Sequence, residues 1–397
     1  MNVLPWGNRE ILSDDEFYNR SMEIANVKNL LSSTESGNAP DILLTGIRGV
    51  GKTVFLKKIK KELDDDYLVI YVNFSQAECF QKDNMSIVGL MEYYFKEIIA
   101  ECSNDFLDIL GERFNKFFRT NDVKIKDYTS IKDFPIPIFG SERNDEELVN
   151  FVLNLPNEIY ERNSEKIKGV IIFIDEFQII KELDKYMESF LWKFRSFIQN
   201  QPHVAYVLSG SMSLQDQLIS QIASQGGVFG GRMLTLNLAP FSKVTVNQYL
   251  KEKAPDLIFT EEGFNRFYKC TSGIPAYVNI FGRLLPRNYE LNEEIVLKEF
   301  NEKIPVINSH LINIWTRLTY REQSIIVALL QKPLKRVEIA NEVGVTTGSL
   351  SNALNSLINQ NLIKLDNGLY AIAEPLLSKW LKLEYEIKGV YPYKIFL

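Results

Sequence analysis

The fold is decided by the segment Gly46-Ile47-Arg48-Gly49-Val50-Gly51-Lys52-Thr53, which matches the pattern GxxxxGK[ST] at every fixed position. Glycines let the backbone curl so that successive N–H groups point at phosphate oxygens, and the positive end of the following helix faces the same anion. We expect Lys52 to reach the β and γ phosphates of a nucleotide, and the hydroxyl of Thr53 to contact Mg²⁺. The motif therefore predicts a P-loop, with the whole segment in contact with a nucleoside triphosphate.

The surrounding sequence predicts the strand, loop and helix that this motif requires. Residues 41–45 form an apolar strand pattern before the glycines, and residues 54–63 form an amphipathic helix pattern after them. A helix is also predicted at residues 14–31, and further apolar strands at residues 67–72, 169–174 and 204–208. Apolar strands separated by helices are typical of a parallel sheet covered on both faces, so the first two thirds of the chain is predicted to be an α/β domain.

Two carboxylates follow the most apolar of these strands, in the stretch Ile171-Ile172-Phe173-Ile174-Asp175-Glu176. They should lie at the carboxyl edge of the sheet, where open α/β sheets bind their ligands. We predict that Asp175 holds Mg²⁺ through water and that Glu176 orients and activates the attacking water, since phosphoryl transfer depends mainly on positioning and charge stabilisation. Without the P-loop, an Asp-Glu pair would equally fit a solvated strand end or a helix cap.

Three more polar side chains are candidates for contacts with the phosphates. The fourth strand ends in Ser209-Gly210-Ser211, and Ser211, or failing that Ser209, could hydrogen-bond the γ-phosphate or the attacking water; a turn cap is the alternative. Arg232 could stabilise phosphate charge in its own chain or across a subunit interface, or form a surface salt bridge. Arg195 better fits a structural role.

Length and composition indicate an ordinary globular chain with more than one domain. The 397 residues exceed the roughly 250–300 that a single core usually serves. A net charge of −6 gives no general attraction to nucleic acid. The three cysteines are widely spaced without a CxxC pattern, which argues against a disulfide framework or a zinc site. Neither a signal-peptide pattern nor a membrane-spanning apolar run is present, so the sequence predicts a cytoplasmic protein.

Changes of pattern along the chain predict three domains. Residues 1–237 would form the nucleotide-binding core, including a long, mostly helical insertion with an irregular surface loop at residues 133–140. Residues 238–305 are predicted to be a small helical domain. Residues 306–397 contain helical patterns at 318–330, 337–343 and 349–359, then a hairpin whose Asp366-Asn367-Gly368 turn supplies positive-φ positions. Helix, turn, helix and hairpin predict a winged helix.

Several of these segments together resemble archaeal-type AAA+ ATPases, a family usually grouped with the STAND NTPases and related to the archaeal origin-recognition initiators. The resemblance rests on the P-loop, on FIDEFQ at residues 173–178, LSGSM at 208–212 and FGGRM at 229–233, and on Phe17-Tyr18-Asn19-Arg20-Ser21-Met22-Glu23-Ile24 and Gly273-Ile274-Pro275. It implies an AAA+ core, a helical lid and a C-terminal winged helix, with ATP and Mg²⁺ as ligands and ATP hydrolysis as the activity.

The resemblance also implies which residues surround the base. Tyr18 and Arg20 would lie near adenine, while Gly273 and Pro275 would form the element by which the lid touches bound nucleotide. Gly-Ile-Pro equally fits a helix N-terminus, because proline suits the first helical turn. Ser-Gly-Ser stands where the family often has an asparagine, and no arginine follows Pro275 directly. The preference for ATP over GTP follows from the resemblance alone.

The predicted winged helix leaves two functional hypotheses. In the first, the protein is a nucleotide-dependent conformational switch that engages a partner protein, or another copy of itself, in one nucleotide state. In the second, it is a DNA-associated ATPase or loader that binds DNA through the winged helix. The helix at residues 349–360 contains no Lys or Arg, although cations flank it at Lys332, Lys335, Arg336 and Lys364. This neutral helix favours the switch.

Overall fold

The computed structural model describes residues 4–7, 9–102, 125–131, 134–139, 145–210, 217–224, 226–307, 309–360 and 362–393. The first part of the chain contains, in order, α1 (Ser21–Leu31), β1 (Asp41–Thr45), α2 (Lys52–Leu63), β2 (Leu68–Asn73), α3 (Glu78–Gln81), α4 (Ile87–Glu101), β3 (Ile125–Ile131), β4 (Phe134–Phe139), α5 (Asp145–Asn163), β5 (Val170–Asp175), α6 (Met187–Ile198), β6 (Val204–Ser209), α7 (Gln217–Ala223) and β7 (Leu234–Asn237). Within these ranges, no helix is both long enough and apolar enough to cross a membrane.

The remainder of the described chain is mainly helical. Its elements are α8 (Lys243–Lys253), β8 (Leu257–Phe259), α9 (Glu261–Thr271), α10 (Pro275–Leu284), β9 (Tyr289–Leu291), α11 (Glu293–Ile307), α12 (Ser309–Arg317), α13 (Tyr320–Ala328), α14 (Arg336–Val343), α15 (Ser351–Asn359), β10 (Ile363–Asp366), β11 (Leu369–Ile372) and α16 (Pro375–Lys388). We call α8–α11 with β8 and β9 the helical region, and α12–α16 with β10 and β11 the C-terminal region.

A five-stranded parallel sheet forms the centre of the first part, in the order β2-β5-β6-β1-β7. The predicted α/β class and the four predicted strands are confirmed. The edge strand β7 was missed, because it has four residues and is mostly exposed, so the continuous apolar pattern that marks the central strands is weak there. Since all strands are parallel, the chain segments that follow β1, β5 and β6 emerge at one edge.

Both faces of this sheet are buried, which explains the unbroken apolar sequences. In β5, Val170, Ile172 and Ile174 pack in one cluster with residues of α4, α5 and α6. Ile171 and Phe173 pack in another cluster with residues of α1 and α2 on the opposite face. Successive side chains of a strand point to opposite faces, so a strand buried on both sides needs an apolar residue at every position.

The insertion between β2 and β5 corrects one prediction. Residues 133–140 were expected to be an irregular loop, but Phe134–Phe139 is strand β4, paired antiparallel with β3. Pro135 and Pro137 disguised this strand, because proline cannot donate a ladder hydrogen bond and is normally confined to strands with a free edge. The structure describes β4 paired with β3 only, which leaves its other edge open to accommodate the prolines.

The first helix also begins later than predicted. Helix α1 starts at Ser21, not near residue 14, because Asn19 and Arg20 have left-handed backbone angles, with φ of 61° and 73°. Such angles interrupt a right-handed helix. Residues 9–20 therefore run as turns and extended chain.

The helical and C-terminal regions share one hydrophobic cluster, which extends from Phe241 to Leu381 and also contains Leu4. Helix α11 continues to Ile307 and so passes through the domain boundary predicted at residue 305. The short parallel pair of β8 and β9 was not predicted, since each strand has only three residues. The predicted hairpin is confirmed as β10 and β11, with φ of 48° at Asn367 and 79° at Gly368 in its turn.

Candidate nucleotide-binding site

The P-loop joins the carboxyl end of β1 to the amino end of α2. Its glycines Gly46, Gly49 and Gly51 have φ of 152°, 80° and 96°, angles that other residues rarely adopt. A Cβ built on Gly46 would lie 2.7 Å from the carbonyl oxygen of Leu238, so only glycine fits there. No described atom lies within 4 Å of a Cβ built on Gly51, so there is free space beside the loop at the positive end of α2. A phosphate group fits this concave, positively polarised position.

Lys52, the first residue of α2, is only 6% exposed. Its Nζ donates hydrogen bonds to the carbonyl oxygens of Gly46, at 2.8 Å, and Ile47, at 3.2 Å. Burial lowers the pKa of Lys52 to about 8, and the negative charges of Glu176 and Asp175 partly oppose this decrease. A buried ammonium group with so low a pKa is stabilised by an additional anion, and the P-loop is the place where one would bind.

Asp175 at the end of β5 is fully buried and lies directly against Thr53. The hydroxyl of Thr53 donates to Asp175 Oδ2 at 2.6 Å, and the hydroxyl of Tyr71 donates to the same oxygen at 2.9 Å. The backbone N–H of Glu176 donates to Asp175 Oδ1 at 3.0 Å, which fixes the second carboxylate oxygen. A carboxylate and a hydroxyl oxygen side by side at the P-loop fit Mg²⁺, which prefers oxygen ligands and retains several waters.

Glu176 occupies a strained position next to Asp175. Its φ is 54°, in the left-handed region that costs a residue with a Cβ roughly 1–2 kcal/mol. Its side chain is partly buried and accepts a hydrogen bond from Nε2 of Gln178. Backbone strain of this kind is concentrated at functional sites, where the surrounding structure compensates for it. The turn at Glu176 directs the chain away from β5 immediately after the buried aspartate.

Ser209, at the end of β6, lies on the same sheet face as Asp175. Ala205 and Val207 of β6 share a cluster with Phe173 of β5, and side chains two residues further along point the same way. Ser209 is fully buried, and its Oγ has no hydrogen-bond partner among the described residues. Ser211, the first choice from sequence, lies outside the described residues. The second choice, Ser209, is therefore the hydroxyl that the structure places on the Asp175 face.

The structure places Arg232 away from the P-loop of its own chain. The residue is exposed and precedes β7, whose first residue, Leu234, pairs with Ile42, while the last, Asn237, pairs with Thr45 beside the P-loop. At about 3.3 Å per residue, the start of β7 lies roughly 10 Å from the P-loop edge. Arg232 therefore lies near the end of β7 that is remote from the P-loop, and its role in its own chain or across a subunit interface stays a prediction.

Arg195 has structural contacts, as expected. Its guanidinium donates to the carbonyl oxygen of Val228 and to Gln199 Oε1, and it lies 5.3 Å from the ring centre of Trp192. These contacts tie the end of α6 to the chain before β7.

A cavity of about 80 Å³ adjoins the P-loop on the side of the helical region. We call it the P-loop cavity. It includes the predicted base-contacting residues Tyr18, Arg20 and Pro275. The other residues that line the cavity were not predicted to contact a nucleotide: Trp6, Gly7, Arg9, Leu12, Glu16, Phe17, Val54, Phe55, Phe241, Tyr249, Ala276 and Asn279. These residues come from four separate segments and carry no motif, so no local pattern in the sequence brings them together.

Tyr18 and Arg20, which were predicted to lie near the base, make different contacts. The hydroxyl of Tyr18 donates to Glu252 at 3.0 Å, and its ring lies 4.8 Å from that of Tyr249. Arg20 is buried, donates to the carbonyl oxygen of Ala239 and pairs with Glu23 at 3.1 Å. Both side chains therefore connect the first part of the chain to the helical region at the wall of the cavity.

The Gly-Ile-Pro segment brings the helical region against the P-loop. Pro275 is the first residue of α10, and the N–H of Ala276 donates to the carbonyl oxygen of Gly49 at 3.1 Å. Gly273 is not at the cavity wall; its φ is 67°, and a Cβ there would lie 2.1 Å from the carbonyl oxygen of Phe241. Glycine is needed at 273 for backbone packing, while Pro275 lines the cavity.

The remaining P-loop residues have different exposures. Val50 is buried, whereas Ile47 and Arg48 are exposed at the tip. Arg48 faces a second, larger cavity of about 660 Å³, which also contacts Tyr277 of α10 and Ile307 of α11. The P-loop tip therefore adjoins the helical region on two sides.

The family assignment agrees with this geometry. The model of an ATPase domain found predominantly in Archaea matches residues 17–281, which is most of the chain and includes the P-loop, Asp175, Glu176 and Pro275. The chain belongs to this archaeal ATPase domain family.

Individual relatives are distant. The chain is 23% identical over 301 residues to an uncharacterized ATP-binding protein of Methanocaldococcus jannaschii, a match covering 73% of this chain and 75% of the relative. The Walker-type ATPase PABY2304 of Pyrococcus abyssi has a similar fold, with a TM-score of 0.63 and 19% identity over 94% of this chain and 99% of that one. The ORC2 protein of Aeropyrum pernix aligns over 94% of this chain and 97% of its own, at 12% identity and a TM-score of only 0.43. That score is too low to support the predicted relationship to origin-recognition initiators.

Proposed function

We propose that the protein binds ATP with Mg²⁺ at the P-loop and hydrolyses the ATP to ADP and phosphate. The observation that carries this proposal is the 2.6 Å hydrogen bond between Thr53 and Asp175, which brings two oxygen ligands from distant parts of the sequence to the mouth of the P-loop. Membership of the ATPase family supports it. The ATP-binding relative of Methanocaldococcus jannaschii supports the choice of nucleotide.

In this proposal the segment 46–53 surrounds the phosphates. Lys52 gives up its hydrogen bonds to Gly46 and Ile47 and donates to the β and γ phosphates instead. Thr53 and Asp175 hold the magnesium ion, whose chemistry is to neutralise phosphate charge. Glu176 orients the attacking water and accepts its proton. Ser209 supplies a hydroxyl to the γ-phosphate, in place of Ser211 or together with it.

Arg232 acts on the nucleotide of a neighbouring copy in this proposal. Its exposure and its distance from the P-loop of the same chain fit an arginine that completes a site across an interface. This role requires self-association, at least while ATP is hydrolysed.

The domain organisation that we propose is of the AAA+ type, as in the STAND group. Residues 1–237 form the nucleotide-binding core, residues 238–305 the helical lid and residues 306–397 a winged-helix domain. The helices α13, α14 and α15 followed by the β10–β11 hairpin have the element order of a winged helix. The shared hydrophobic cluster supports a lid and winged helix that move as one body.

The biological role that we propose is a nucleotide-dependent switch that engages a partner protein. Ala276 contacts the P-loop directly through Gly49, and its neighbour Tyr277 donates a hydrogen bond to Glu374 of the C-terminal region at 3.2 Å. A change of P-loop conformation on binding or hydrolysis would therefore be transmitted through α10 to the start of α16. Two states with different contacts are what such a switch requires.

DNA binding through the C-terminal region is the alternative, and the charged side chains there favour it less. The guanidinium of Arg336 donates to the carbonyl oxygen of Thr347 and to Ser351, so it fixes the start of α15 through contacts within the chain. Exposed cations remain at Lys332, Lys335 and Lys364.

Two variants test the enzymatic proposal. Lys52→Ala should abolish ATP binding in a fluorescence titration, because the buried cation is lost. Glu176→Gln should retain ATP binding but stop phosphate release, because an amide cannot accept the proton of the attacking water. Binding that survives in Lys52→Ala would refute the site, and unchanged turnover in Glu176→Gln would refute the role of the base.

The switch and its alternative are separated by one further experiment. Light scattering after size-exclusion chromatography measures assembly and DNA binding together. The samples contain either ADP or a non-hydrolysable ATP analogue, each with and without duplex DNA. A nucleotide-dependent mass or elution volume supports the switch. A salt-dependent complex with DNA in either nucleotide would instead support the loader.

A further inference from the structure

The chain before α1 crosses the P-loop cavity from the helical region to the core. We call residues 4–7 and 9–16 the strap. The strap precedes residue 17, where the match to the family model begins, so family membership does not account for it. Trp6, Gly7 and Glu16 are among its cavity-lining residues, together with Gly49 of the P-loop and Asn279 of α10. The strap is therefore one wall of the cavity next to the phosphate site.

The strap is anchored firmly to helix α10 at its first end. Leu4 is fully buried in the cluster of the helical region, and a Cβ built on Gly282 would lie 2.6 Å from Leu4 Cδ1. Arg283 donates a hydrogen bond to the carbonyl oxygen of Leu4, and its guanidinium carbon lies 4.1 Å from the ring centre of Trp6. A cation this close to an aromatic face is attracted to it. Burial and side-chain contacts together hold this end on α10.

Gly7 shows how closely the strap lies against α10. A Cβ built on Gly7 would lie 2.3 Å from the carbonyl oxygen of Ala276, with two more backbone atoms of Ala276 at 2.8 Å. The obstacle is backbone at the start of a helix, so it cannot rotate away as a side chain could. Any side chain at position 7 would force the strap and α10 apart.

The other end of the strap is attached to the P-loop helix α2 by ion pairs. Glu10 pairs with Lys57 at 2.8 Å, and Asp14 pairs with Lys58 at 3.0 Å and with Lys61 at 3.1 Å. The carboxylates are more than half exposed, and exposed ion pairs contribute little to stability. This end can therefore separate from the core far more easily than the buried end can separate from α10.

The P-loop cavity is small for the nucleoside half of a nucleotide. Its volume is about 80 Å³, whereas pockets for small-molecule ligands typically have about 300–1,000 Å³. The P-loop and the sheet behind it are the rigid side of the cavity. The strap and α10 are the other side, and they are joined to each other more firmly than the strap is joined to α2.

We propose that the strap is the exit gate for the nucleoside half of the bound nucleotide, opening at its ion pairs with α2 while it stays attached to α10. This inference rests on the proposed binding of ATP at the P-loop and adds that the strap sets how long the nucleotide stays. The gate makes nucleotide release a step separate from phosphate binding by Lys52. Nucleotide exchange then requires α10 and the strap to move together.

The test is the dissociation rate of a fluorescently labelled ADP from the full chain, measured by stopped flow after excess unlabelled ADP is added. Glu10→Gln combined with Asp14→Asn removes the ion pairs that hold the strap on α2 and should increase the rate on the order of five-fold, because the gate opens at these pairs. Changes in affinity between variants of one site arise mostly from dissociation. Asp66→Asn is the matched control, since it removes an exposed ion pair with Lys168 that is not part of the cavity wall. Its rate should equal that of the unmodified chain.

A second variant tests the strap as a wall of the cavity by loosening its other end. Arg283→Met removes the contacts with Leu4 and Trp6 but keeps a long apolar side chain, and it should also accelerate dissociation. Rates equal to the control in the folded strap variants would overturn the gate while leaving ATP binding in place. Failure of the unmodified chain to bind labelled ADP at all would overturn both the gate and the proposed function.

Discussion

The buried lysine of the P-loop gives the most demanding prediction, because its pKa of about 8 lies within the range that a binding assay can cover. Only the protonated amine attracts phosphate, so affinity should be fully present below pH 8 and decrease as pH rises through that value. With this pKa, the protonated fraction falls from about nine tenths at pH 7 to about one tenth at pH 9. The affinity for ATP should therefore fall about ten-fold over these two pH units.

The assay is a fluorescence titration with labelled ATP at constant ionic strength, at pH 7, 8 and 9. Tyr71 beside the site does not interfere, because burial and the charge of Asp175 raise its pKa far above this range. Glu176→Gln is the informative control: the charge of Glu176 raises the pKa of Lys52, so its removal should move the loss of affinity to lower pH. An affinity that stays constant from pH 7 to pH 9 would refute the reasoning.

Three further substitutions test single contacts. Tyr71→Phe removes the hydrogen bond to Asp175 and should lower the free energy of unfolding by about 1.5–3 kcal/mol in urea denaturation; no change would mean that Asp175 does not need this donor. Ser209→Ala should leave the melting temperature unchanged or higher, since its hydroxyl has no described partner, yet reduce ATP turnover roughly 100-fold; full turnover would exclude Ser209 from the site. Gly273 and Gly344 both have φ near 70°, but only a Cβ at Gly273 would clash with a backbone oxygen. Gly273→Ala should therefore lower the melting temperature more than Gly344→Ala does. Equal decreases in melting temperature would show that the structure relieves the clash.

The sequence was sufficient wherever the physical requirement is local. Residues 46–53 predicted a turn of glycines at a helix start, and the structure has positive φ at all three glycines of this segment. The four central strands were recognisable because a strand covered on both faces must be apolar at every position. The hairpin turn at Asn367 and Gly368 was recognisable because few residues tolerate its backbone angles.

The predicted secondary structure was wrong or incomplete where a local sequence pattern is short or ambiguous. Strand β7 has four residues, and β8 and β9 have three each, too few for a periodic pattern. Strand β4 contains two prolines, which are normally evidence against a strand. The start of α1 depended on the backbone angles of Asn19 and Arg20, and neither residue type requires a left-handed conformation.

The sequence by itself determined that this chain has a P-loop at residues 46–53 on a parallel α/β sheet, with acids after the third predicted strand, because each of these features is specified by neighbouring residues. Only the tertiary structure decided what meets at the P-loop. It placed Tyr71 and Thr53 on Asp175, separated Arg232 from Lys52, and laid Trp6 and Gly7 along α10. Those contacts join residues remote in the chain, and they depend on strand order, register and packing, which no local pattern specifies.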